Sequence, residues 1–173
     1  MIPPKLIPDP DYDDPKELYA FFGLTFYKAQ VLEQGIVNLA VALQAKGICP
    51  LTVGDVLQIY ERYDKKTLGS VLKAARSLTA IPESMDSDLK KALQIRNHLA
   101  HRFFVDHSEH MLTAKGCGAM LDELREMLEF LATVDEEFDK IWMAAWNALG
   151  VTQKWFDQQF EKARRDILTD QTL

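Results

Sequence analysis

Two cysteines in 173 residues, Cys49 and Cys117, are too few and too far apart for a disulfide framework, and no second pair joins them to make a zinc ribbon. No apolar run approaches the roughly 18 to 20 residues that span a bilayer. Met1-Ile2-Pro3-Pro4-Lys5 also lacks the basic and apolar regions of a secretory signal. A reducing, cytoplasmic setting with no membrane partner is therefore expected. A surplus of positive charge is missing as well: 20 Lys and Arg stand against 26 Asp and Glu, for a net charge of −6. Such a field repels nucleic acid as a whole, so any polyanion must be met at a local basic site. There is no Gly-rich phosphate loop, no Gly-x-Ser-x-Gly elbow, no His-Glu-x-x-His pair and no Glu-x-x-His tetrapeptide of the two-metal helical bundles. Nor is there a sustained alternation of polar and apolar residues, or an Asn-Gly or Asp-Gly hairpin turn, to suggest a strand.

What is present is helical periodicity. Five of the seven prolines fall in the first fifteen residues, so residues 1–13 read as an extended or disordered arm ahead of one all-α domain over 14–173. Asp14, Pro15 and Glu17 together predict a capped helix start, and the helix runs to about Lys46. Its segment from Val31 to Leu43 is apolar almost all the way round, as expected of the central helix in a bundle. Thr52 with Asp55 opens a short helix to Tyr63, and another spans about Lys66 to Leu78. Asp86 or Ser87 is the expected cap of the helix that reaches Phe103 or Phe104. Periodicity fails from Val105 to Lys115, and Thr113 then caps a long helix. In that helix Met120, Leu124, Met127, Leu131, Val134, Phe138, Ile141, Ala145 and Ala148 step by four and three, a heptad seam suited to packing in a bundle or across a dimer. Thr152 caps a last amphipathic helix to about Leu168. The fold class is all-α, a helical bundle with long central and C-terminal helices.

Arg96-Asn97-His98-Leu99-Ala100-His101-Arg102 is where the chemistry concentrates. At about 100° per residue, Leu89, Ala92, Leu93, Leu99, Ala100 and Phe103 make one apolar stripe, and Arg96 falls near its middle. A guanidinium cannot shed its proton, and burying it unpaired is costly. Arg96 therefore belongs in a polar cleft or an interface. Glu33, a carboxylate within the central helix, is its candidate partner. A slight unwinding after Ala100 would bring Arg96, Asn97 and His101 to one side.

The four histidines form two His-x-x-His pairs, His98 with His101 and His107 with His110. Imidazoles so spaced can share a metal. No cysteine or well-placed carboxylate completes a ligand set in the sequence, so neither a metal nor another cofactor is expected. Arginine with histidine suits a different chemistry. Cleaving RNA requires a base for the ribose 2′-OH, an acid for the departing 5′ oxygen, and a cation for the charge that builds on the phosphate. Imidazole titrates in the range the first two need, and guanidinium offers a fork to the phosphate oxygens.

Arg96-Asn97-His98-Leu99-Ala100-His101 resembles the Arg-x4-6-His motif of HEPN domains (higher eukaryotes and prokaryotes nucleotide-binding), in the form where Asn follows the Arg and the His closes the motif. The motif covers six residues, and the long helices before and after it match the family layout across most of the chain. The resemblance implies an all-α bundle that homodimerises, bringing two motifs into one cleft. It further implies a metal-independent endoribonuclease leaving a 2′,3′-cyclic phosphate, of the kind found in toxin and phage-defence systems, with RNA as substrate and an antitoxin or regulatory protein as partner. Carried over, Arg96 holds the scissile phosphate, His101 is the general acid or base, Asn97 orients one of them, and Glu33 supports the motif from an early helix. One position departs from a toxin subgroup whose Tyr, two residues beyond the His, is modified by nucleotide transfer: here it is Phe103. The competing expectation is a non-catalytic HEPN-like interaction or nucleotide-binding module, in which Arg96 and His101 only stabilise a dimer. His98 and Arg102 are expected to be solvated bystanders.

Overall fold

The computed structural model describes residues 7–152, together with 154, 155, 157, 158, 161 and 165. Among these residues there is no strand. The order is α1 (Glu17–Ala45), α2 (Val53–Asp64), α3 (Leu68–Leu78), α4 (Glu83–His101), the single turn α5 (Phe103–Asp106), a 3-10 turn (His110–Leu112) and α6 (Ala114–Asn147). No helix among the described residues is long and apolar enough to cross a membrane.

The central helix is α1, with α2, α3, α4 and α6 all packed on it. That explains its all-round apolarity: Leu32, Ile36, Leu39, Ala40, Val41 and Ala42 are buried on several sides because each side meets a different neighbour. Its start differs from expectation: Lys16, not Asp14, is the N-cap, no side chain caps the helix, and it begins two residues later than an Asp14 cap would place it. The Asp14 Oδ1 accepts from the Lys16 N–H at 2.9 Å, the helix begins at Glu17, and the Glu17 carboxylate reaches back to the Asp11 N–H at 3.4 Å rather than to Asp14. The described part of the N-terminal arm lies against α6. Asp9 pairs with Arg125 at 3.1 Å, the Tyr12 hydroxyl donates to Asp122, and Ile7 packs on a core cluster.

The α6 seam is used inside the chain. Met120, Leu124, Leu131, Val134 and Phe138 are buried, chiefly against α1, which removes most of that seam as a surface for a second copy. An ion pair crosses this contact, from the half-buried Lys28 Nζ to Oδ2 of the buried Asp135 at 2.5 Å. The α1–α6 pair also divides the core. One cluster joins the later part of α1 to α2, α3 and the start of α4. The other joins Leu18 and Phe21 to Leu99, Phe103, Met120, Leu121, Leu124 and Leu128.

Thr52 and Asp55 form the expected reciprocal capping box on α2. Helix α4 departs from expectation at both ends. It starts at Glu83 behind Pro82, whose φ of −52° already suits a helix entry and whose carbonyl accepts the Asp86 N–H at 2.9 Å. Asp86 is thereby freed from capping, and its carboxylate binds Arg76 and, at 2.8 Å, Lys90. At the far end the helix breaks at Arg102 (φ −129°). The break lets Phe103 bury fully while the Phe104 ring packs at a tilt against Phe22, with centroids 4.7 Å apart. Burying a Phe contributes about 1.5–3 kcal/mol, more than the roughly 0.5–1.5 kcal/mol of a helical hydrogen bond, so the aromatic contacts win. The helix expected beyond Thr152 falls largely outside the described residues, although Thr152 Oγ1 does accept from the Trp155 N–H at 3.3 Å.

Candidate functional site

Helix α4 carries two clusters of polar side chains on different faces. On the face toward α1, Arg96 sits among the buried residues Ala92 and Leu99, with its guanidinium at the edge of the core. Its Nε donates to Glu33 Oε2 at 3.3 Å, and its Nη1 to Asn97 Oδ1 at 3.4 Å. The side chains of Arg96 and Glu33 are 31% and 27% exposed, so the pair is open enough to meet a ligand and dry enough to hold its geometry. Glu33 also lines an open pocket of about 280 Å³ with Gln30, Gln34, Tyr63, Asp64 and Lys66. Next to it, the Tyr60 hydroxyl donates to Asn38 at 2.8 Å, and burial pushes its pKa up to about 12. Tyr60 is thus a fixed hydrogen-bond donor at neutral pH.

His101 is not brought to this pair. Because the helix runs unbroken through His101 and gives way only at Arg102, no unwinding follows Ala100. Five helical residues separate Arg96 from His101 by about 7.5 Å along the axis and about 140° around it. His101 and Asn97 are exposed, and only Asn97 touches Arg96. Of the residues singled out in the sequence, the structure unites Arg96, Asn97 and Glu33 and leaves His101 apart.

His98 is no solvated bystander. It is half-buried at the junction of α4, α5 and α6, with its ring edge-on to the buried Phe103 at 5.8 Å. Its Nδ1 lies 3.7 Å from Asp106 Oδ2 and its Nε2 3.9 Å from Glu123 Oε1. The other oxygen of Glu123 is 2.9 Å from His107 Nε2, and His107 Nδ1 is 2.9 Å from His110 Nδ1. Arg102, the other presumed bystander, binds Asp106 Oδ1 at 2.6 Å and so holds the carboxylate beside His98. Of the two sequence pairs, His107 with His110 holds, whereas His98 associates with His107 across the break rather than with His101 three residues on. Glu123, one helix away, was invisible to local spacing. The clue in the sequence was the loss of periodicity after Phe104, just where His107 and His110 occur.

Compared with known proteins, the chain matches no family model, no curated protein and no solved structure.

Proposed function

We propose that the chain is a metal-independent endoribonuclease of the HEPN type, acting as a homodimer in the cytoplasm, in a toxin–antitoxin or phage-defence setting where an antitoxin or regulatory protein restrains it. The observation that carries this reading is Arg96, a half-exposed guanidinium set in an apolar stripe and held by Glu33 and Asn97. A fixed cationic fork of this kind suits a phosphate whose charge grows as the 2′-oxygen attacks. His101 then serves as base for the 2′-OH or as acid for the 5′-oxygen, and the products are a 2′,3′-cyclic phosphate and a 5′-OH. Since Arg96 and His101 of one chain lie on different faces of α4, the reading requires a second copy, so that Arg96 of one protomer works with His101 of the other.

The separation of the two residues favours a second reading, a non-catalytic HEPN-like module in which Arg96 and His101 serve only in association. RNA cleavage in EDTA decides between them. The wild type should cut RNA as a dimer, and Arg96→Ala and His101→Ala should each slow cleavage by about 10²–10⁴-fold without loss of helicity. Cleavage untouched by both substitutions, or none with any RNA by a folded dimer, removes the nuclease reading.

A further inference from the structure

We propose that His98, His107 and Glu123 form a binding site for one divalent metal ion of the zinc class, tying together α4, the segment after its break, and α6. Each of the three offers one ligand atom, and those atoms all lie within 4.8 Å of one another. Zinc bound tetrahedrally at about 2.0–2.1 Å holds its ligands about 3.4 Å apart. His107 Nε2 lies 2.9 Å from one oxygen of Glu123 and His98 Nε2 3.9 Å from the other, and since the three ligand atoms lie within 4.8 Å of one another, side-chain rotations that draw them inward reach that spacing. Two imidazoles and one carboxylate are a recognised zinc set, and a water completes the fourth position. Hard-ligand ions such as Mg²⁺ prefer oxygen and keep their water, which disfavours them here.

A second tier of contacts points the same way. A metal-binding imidazole normally donates its other N–H to a neighbour, fixing the tautomer. His107 Nδ1 is 2.9 Å from His110 Nδ1, and His98 Nδ1 faces Asp106, itself anchored by Arg102. With Nε2 of each ring given to the metal, the His107 Nδ1–H has an acceptor in His110 Nδ1, and the His98 Nδ1–H faces the Asp106 carboxylate 3.7 Å away. The floor is the fully buried Phe103, whose ring is 4.8 Å from that of His107. The His110 turn is held against α6 at Gly116, where a Cβ would overlap the His110 carbonyl oxygen and lie 2.6 Å from its Cα. These three ligands come from three segments, so the ion would staple the turn-rich stretch 102–113 to the long helix.

The inference is independent of the ribonuclease reading, because it is tested by metal uptake and not by cleavage. The untagged 173-residue chain, stripped with EDTA, is titrated with Zn²⁺ by calorimetry and with Co²⁺ by visible absorption. One Zn²⁺ per chain, a higher Tm with Zn²⁺ than with Mg²⁺, and Co²⁺ bands of a four-coordinate ion are expected. His107→Gln and Glu123→Gln, checked for wild-type helicity, should abolish saturable uptake. His110→Ala, which removes a supporting contact, should weaken it about 10–100-fold, and His101→Ala should leave it unchanged. Failure of the folded wild type to take up Zn²⁺, or uptake unaltered in the two Gln variants, overturns the proposal.

Discussion

The two polar faces of α4 hold comparable inventories, a few charged or titratable side chains beside an apolar stripe, yet they are built differently. The Arg96 face is made by two helices in direct contact, and one ion pair at 3.3 Å spans it. The His98 face is made by a helix end, a broken turn and a neighbouring helix, and four side chains converge within hydrogen-bond or near-contact distance. Residues on regular helices can be paired from periodicity alone. Where backbone order fails, the chain can bring side chains together from positions that no period predicts.

Two substitutions test how separate the faces are, and a third tests the charge at the start of α4. The largest effect is expected for Gly116→Ala. Its methyl group would collide with the His110 backbone, and relieving such overlap costs about 1–3 kcal/mol, readable as a lower urea midpoint. The displaced turn carries His107 and His110, so zinc uptake should weaken while any cleavage that depends on Arg96 persists. Equal loss of both properties would mean that the two faces are one cooperative unit. Glu33→Gln acts on the other side. It keeps the shape but removes the charge that holds Arg96, a pair contributing about 1 kcal/mol, so RNA cleavage should fall by up to about tenfold with zinc affinity unchanged. A drop in zinc affinity would contradict the separation.

The smallest effect belongs to Asp86, at the start of α4 and remote from the His98 cluster. Hydrogen bonding to Lys90 first, and then to Arg76, holds its carboxyl below the usual carboxylate range against some desolvation. A depressed folded-state pKa stabilises fully above the unfolded value of about 3.9. That contribution disappears as pH falls through the folded value. The wild type should therefore melt higher than Asp86→Asn at neutral pH, and the two Tm values should converge in acid. A gap that persisted at low pH would assign the effect to packing rather than charge.

Much of the bundle was legible. The central position of α1, the Thr52 and Thr113 caps and the buried α6 seam follow from period and capping chemistry, and the Arg96–Glu33 pair follows from the cost of a bare guanidinium in an apolar stripe. The start of α4 departs from the capping pattern because Asp86 has the chemistry of a cap but is used by Arg76 and Lys90. Joining His101 to Arg96 needs an unwinding after Ala100 that the helix does not make; the break falls at Arg102, where the Phe103 and Phe104 rings have partners on α1.

The sequence by itself determined that this protein is helical, which helix is central and that Arg96 needs a carboxylate, because periodicity and desolvation act over a few residues and along one axis. Only the tertiary structure decided that His98 meets His107 and Glu123 and that His101 stands apart. Those outcomes depend on where a helix breaks, which the packing of Phe103 and Phe104 on Phe22 of α1 governs, and on which helix passes beside it, which the aliphatic seam of α6 against α1 governs.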